Sequence, residues 1–170
     1  MASSFQGLFE NAGIMFPAME SQTADYSKIY DENCHRIYSL SFWMTDNELV
    51  AEQLSTAVFL RAFSFTAEPR TEHIDRALIN ELREMMPLGT LTLNRSVSKE
   101  NKSVYGNIKR VHLERAVVNT PATERLIFLL HDVDGYEHEK IARLLGISED
   151  ESRFGLHQAR VYIREMVSQM

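Results

Sequence analysis

Arg153, His157, Arg160 and Arg164, near the end of a 170-residue chain, are spaced i, i+4, i+7 and i+11. At 100° per residue this puts them along one side of a helix, apart from a core side of Leu156, Ala159, Ile163 and Met166. Three guanidinium groups and an imidazole in a row can follow a line of phosphates, so the stripe offers backbone binding to nucleic acid. Glu149 and Asp150 lie near the same face at the helix start, where they suit the dipole but would repel phosphates. Ser152 takes a core-side position that an aliphatic residue would fill better. Gly155, mid-helix, costs roughly 1 kcal/mol relative to Ala.

Other chemistries find less support. His138-Glu139 begins a zinc-peptidase-like pattern, but the second histidine would have to stand at Ala142. His131, Asp132 and His138 lack a metal-ligand spacing and read as polar residues at a helix end and turn. No nucleophile–base pair stands at an informative spacing, so no enzyme, metal or cofactor is expected. Tyr30, Tyr38 and Phe42 read as core and Trp43 as the aromatic nearest the surface; Cys34 reads as packing.

The elements that must position the stripe follow from periodicity and punctuation. Tyr26, Ile29, Tyr30, Cys34, Ile37, Tyr38 and Phe42 make one helical stripe from Asp25 onward. Asp46 is placed to cap a second helix burying Val50, Leu54, Val58, Ala62 and Phe65. Residues 63–71 read as a loop, and a third helix from Thr71, with Ile74, Leu78 and Leu82 inward, stops before Pro87. Residues 87–107 lose any period and read as a mildly basic, solvated linker. Thr120-Pro121 is a cap-and-first-turn signal for a helix carrying Leu126, Leu129, Leu130 and Val133, and Asp134-Gly135 ends it. Residues 139–148, EKIARLLGIS, have helix-turn-helix spacing. Ala142 is small at a helix crossing, Gly146 permits a positive φ, Ile147 plugs the angle and Ser148 caps the last helix. The expected fold is all-α: an N-terminal extension (1–24), a helical domain (25–86), the linker, and a helix-turn-helix domain (108–170).

The composition is 44% apolar, with 18 Lys+Arg against 24 Asp+Glu and a net charge of −6. A basic cloud over the whole protein is therefore excluded. Residues 1–100 hold 8 basic and 14 acidic side chains, whereas residues 101–170 hold 10 of each. The deficit lies in the first part and spares the stripe. One cysteine fits a reducing compartment. With neither a spanning run nor a signal pattern, the expectation is a cytoplasmic protein without a membrane contact.

The second half resembles region 4 of bacterial sigma factors, in particular the extracytoplasmic-function class with only regions 2 and 4. The matching residues run from Thr120 through Ser148, then Leu156-His157-Gln158-Ala159-Arg160 and Ile163-Arg164-Glu165. The first half is similar to region 2 at 36–40, at Ala51-Glu52, Leu54 and 58–63, and, by spacing, at Arg76 and Asn80. The resemblance implies that region 2 grips core RNA polymerase through Glu52, Leu54 and Phe59 and reads a melted promoter strand with Arg76 and Asn80. It implies that region 4 sets its last helix in duplex DNA through Arg153, His157, Arg160 and Arg164. The chain departs from the family at Gln53, Thr56 and Ala57 in the gripping helix and at His73 before the strand-reading helix. In the recognition helix it departs at Asp150, Glu151, Ser152 and Gly155. The alternative function is a sigma-like decoy that binds an anti-sigma factor without DNA, to which the acidic first domain and Phe154 would contribute.

Overall fold

The computed structural model describes residues 17–66, 68–93 and 110–170, with side chains from residue 26 onward. These residues form helices and no strand. Helix α1 (Pro17–Thr45) begins before Asp25, and α2 (Glu48–Ser64) and α3 (Thr71–Met85) pack against it. Helix α4 (Arg110–Val118) is followed by α5 (Ala122–Phe128), which widens into a π turn at Leu129–Val133. Helices α6 (His138–Leu145) and α7 (Glu149–Ser168) complete the chain. Residues 1–16 of the expected N-terminal extension lie outside the described residues. No helix among these residues is long and apolar enough to cross a membrane.

Most of the periodic expectations hold, and the departures have local causes. Ile37, Leu40 and Met44 form the buried side of α1, while Tyr38 is 38% exposed, so the core stripe runs along a neighbouring line. Asp46 does not cap α2. It takes a left-handed φ of 52° and closes α1 through its N–H to Phe42 O, a conformation that Asp tolerates. The cap falls to Asn47, whose Oδ1 accepts the Val50 N–H at 3.1 Å. Phe65, expected inside, follows the last residue of α2 and is 76% exposed because the helical phase ends at Ser64. Arg61 of α2 pairs with Glu81 and Glu84 of α3, fixing that crossing. Thr120 does not cap α5. Its buried hydroxyl donates back to Ala116 O at 2.9 Å, and Pro121 holds the cap position without a side-chain bond.

The linker begins as a packed strap. Leu88 and Leu91 are partly buried against the core. The N–H groups of Thr92 and Leu93 both donate to Oε1 of Glu124, at 2.6 and 2.7 Å, and Glu124 is fully buried on α5. A backbone that gives two hydrogen bonds to one buried carboxylate is not a solvated tether. The apolar cluster is continuous from α1–α3 through the strap into α5–α7.

Candidate nucleic-acid interface

The motif at 139–148 folds as its residue types require. Ala142 is buried at the crossing of α6 and its neighbours. Gly146 adopts φ 69°, and its N–H and that of Ile147 both close on Ala142 O. Ser148 Oγ accepts the Glu151 N–H at 3.1 Å and the Glu151 carboxylate returns to the Ser148 N–H at 2.8 Å, a reciprocal cap. Glu151, a departure from the family pattern, therefore has a structural partner. The Ser148 hydrogen bonds, backbone first, hold its carboxyl below the usual range.

Arg153, His157, Arg160 and Arg164 are all exposed along α7, as their spacing predicts, while Leu156, Ala159 and Ile163 are buried behind them. Intramolecular acids engage two of the arginines. Arg153 bonds Glu149 at 2.9 Å and approaches Asp150 at 3.6 Å. Arg160 makes a two-point contact with Asp132, Nε to Oδ2 at 2.9 Å and Nη2 to Oδ1 at 2.6 Å. Asp132 comes from the π turn, far from α7 in sequence, and no periodicity pointed to it. The Arg160 hydrogen bond, with help from His131, holds the Asp132 carboxyl below its ordinary range.

Ser152 and Gly155 belong to the core rather than to the exposed face. Ser152 is fully buried, with Oγ 2.9 Å from His138 Nδ1. A Cβ on Gly155 would stand 2.7 Å from Ile127 Cδ1 and 2.8 Å from Leu91 Cδ2. The glycine leaves space for the strap, so its helix-propensity cost has a packing return. His131 and His138, unpromising as a metal pair, are stacked at 4.6 Å between ring centroids, with His131 Nδ1 on Asp132. No group of three or more His, Cys, Asp or Glu among the described residues is arranged to hold a metal.

Burial, then the His131 ring and Arg153, push His138 below its ordinary 6.5. A histidine with a depressed folded pKa binds fewer protons folded than unfolded between the two values. Stability therefore falls as the pH drops from above 6.5 through that window. The expected result is a thermal midpoint that declines from pH 7.5 to 5, with a smaller decline in His138→Gln. An identical decline in both proteins would contradict this assignment.

In the first domain Arg76 and Asn80 are exposed one turn apart on α3. They open on a cleft of about 310 Å³ whose far wall is α6, with Lys140, Arg143 and Leu144. His73 is tied into the start of α3, its Nδ1 accepting the Arg70 N–H at 3.1 Å. Of the three residues assigned to the polymerase, only Glu52 is exposed. Leu54 and Phe59 are each 4% exposed, and Phe59 packs on Tyr30 and Phe63, so these two serve the core that supports the face. Helical phase makes them core, and a match to a motif does not distinguish a contact from its support. The outward face of α2 instead joins Leu49, Glu52, Gln53, Thr56 and Leu60, with Leu49 and Leu60 63% and 62% exposed. The sequence reading missed these two leucines; their i, i+11 spacing around Glu52 was the available signal.

No curated protein matches the chain. The family model for sigma-70, region 4, matches residues 112–163, which cover most of α4 through α7 and all four residues of the stripe but the last. Over those residues the chain is similar to sigma-70, region 4, and all-helical.

Proposed function

We propose that the protein is a sigma-like initiation factor that binds promoter DNA through α7 and α3 and core RNA polymerase through the outer face of α2. The observation that carries this reading is the exposed cationic stripe on the second helix of a helix-turn-helix within the region 4 match. The first-domain roles rest on resemblance, supported by the exposure of Arg76, Asn80 and Glu52. The extracytoplasmic-function class and the region 2 assignment belong to the same proposal.

Phosphate binding by Arg160 must compete with Asp132. In fluorescence anisotropy on promoter duplexes, Arg160→Gln is expected to weaken binding ~10-fold and lower the log–log salt slope by about 1. Asp132→Ala, which frees Arg160, is expected to strengthen binding several-fold. If both variants bind like the parent, α7 does not face phosphates.

The second reading is the decoy that holds an anti-sigma factor. It is favoured by the internal pairing of Arg153 and Arg160 and by exposed Asp150 and Phe154 beside them. A decoy binds its regulator with no salt-dependent duplex affinity, whereas an initiation factor shows a steep salt slope and co-purifies with polymerase.

A further inference from the structure

The cleft between α3 and α6 gathers positive charge in a protein whose net charge is −6. Arg76, Asn80 and Arg83 stand at i, i+4 and i+7 of α3, on one face of that helix. Lys140 and Arg143 of α6 line the same space of about 310 Å³, so four cations share it with two carboxylates, Glu72 and Asp75. Asp75 is already answered within the protein. Its Oδ1 accepts Arg36 Nη2 of α1 at 2.8 Å, and its Oδ2 lies 2.8 Å from Lys140 Nζ. The Tyr136 hydroxyl stands 2.9 Å from both carboxylate oxygens.

The four cations are of two kinds. Lys140 is held by Asp75 and sits 3.5 Å over the Tyr136 ring, and Arg83 donates to Leu145 O at 2.8 Å. The fold fixes these two, so a ligand that meets them costs little side-chain freedom. Arg76 and Arg143 are exposed and uncommitted. Among the described residues Arg76 makes no hydrogen bond or ion pair. Arg143 has a 3.9 Å approach to Glu139, with the two side chains 71% and 70% exposed. On α7, by contrast, Arg153 and Arg160 are both matched by acids.

We propose that this cleft binds a small polyphosphate, either free or carried by a nucleoside. Guanidinium groups meet phosphate oxygens through paired, charge-assisted hydrogen bonds, and the volume is that of a small-ligand pocket. A nucleic-acid strand spreads its charges along its length, whereas a polyphosphate gathers several in the space this cleft provides. Ile79 and Leu144 add an apolar edge and Asn80 an amide, which suit a nucleobase beside the phosphates. Glu72, one turn before Arg76, opposes the ligand and limits its affinity. A ligand here occupies Arg76 and Asn80 and so competes with a promoter strand. That competition, unlike the site itself, rests on the function proposed above.

The test is isothermal titration calorimetry on the full chain without divalent cations, with inorganic triphosphate, ATP, GTP and orthophosphate as probes. Circular dichroism checks that each variant keeps its helices; Arg76 and Arg143 hold no other element, so their glutamine variants should fold. Triphosphate is expected to bind saturably and at least ~10-fold more tightly than orthophosphate, and to be weakened ~10-fold by Arg76→Gln and by Arg143→Gln. Glu72→Gln should strengthen it several-fold. Arg110→Gln, on α4 and outside the cleft, should leave it unchanged. Tighter binding of ATP or GTP than of inorganic triphosphate identifies a nucleotide as the ligand, and equal or weaker binding identifies the bare polyphosphate. No saturable binding, or binding that survives both arginine variants, overturns the site. A loss in Arg160→Gln as large as in Arg76→Gln places the anion on α7 and overturns it as well. Displacement of a single-stranded promoter oligonucleotide by triphosphate, followed by anisotropy, tests the shared use of Arg76. Polyphosphate binding without displacement supports the site and contradicts the strand-reading role of α3. A strand that binds through Arg76 where polyphosphate does not bind overturns the site and leaves that role intact.

Discussion

Asp75→Ala is expected to lower the stability of the protein by about 3–5 kcal/mol, the usual consequence of removing one partner from a buried ion pair. The carboxylate is 3% exposed and takes hydrogen bonds from an arginine, a lysine and a tyrosine on three separate segments. Alanine would leave Arg36 and Lys140 facing each other across the vacated site, with side chains only 20% and 31% exposed. The Tyr136 phenol would also lose its acceptor; burial, and then the Asp75 charge, raise its pKa and keep it a donor. Asp75→Asn retains an acceptor oxygen and the shape, so its cost should be smaller. Urea unfolding monitored by circular dichroism measures both. A loss under about 1 kcal/mol for alanine would place the cluster among ordinary surface pairs.

Glu124→Ala is expected to cost about 2–3 kcal/mol, because hydrogen bonds to a charged group contribute more than neutral ones. The fully buried carboxylate holds Thr92 N–H, Leu93 N–H and the Thr92 hydroxyl, and so fixes the strap against α5. With the strap loosened, Leu91 loses its seat against Gly155. Glu124→Gln keeps the oxygen that accepts both N–H groups and should cost less than half as much. Equal losses for the two variants in urea unfolding would show that the negative charge, rather than the acceptor geometry, holds the strap.

Periodicity and punctuation made much of this architecture legible. The helix-turn-helix was readable because Ala142, Gly146 and Ser148 each answer a local requirement that one residue type meets. The cationic stripe was readable because four side chains at helical spacing define a face whatever surrounds them. Asp132 was not, because its contact with Arg160 depends on how the π turn after α5 sits against α7. The strap escaped for a similar reason: residues 88–93 have no period of their own, and their order comes from Glu124 and from the space left by Gly155. Asp75 looked like one more polar residue on α3, since a buried carboxylate is marked by the cations brought to it from elsewhere in the chain. Local rules specify helices, ends and faces, while long-range pairing decides which charges are available.

That availability bears directly on the proposed function, since two arginines of the cationic stripe, Arg153 and Arg160, are paired with acids of the protein itself. Run-off transcription with core RNA polymerase and this protein, on genomic fragments from its own organism, is the most direct test. Discrete transcripts that depend on the protein and are strongly reduced by Arg160→Gln are the expected result. No transcript from any fragment, with no retention of core polymerase by the folded protein, would contradict it.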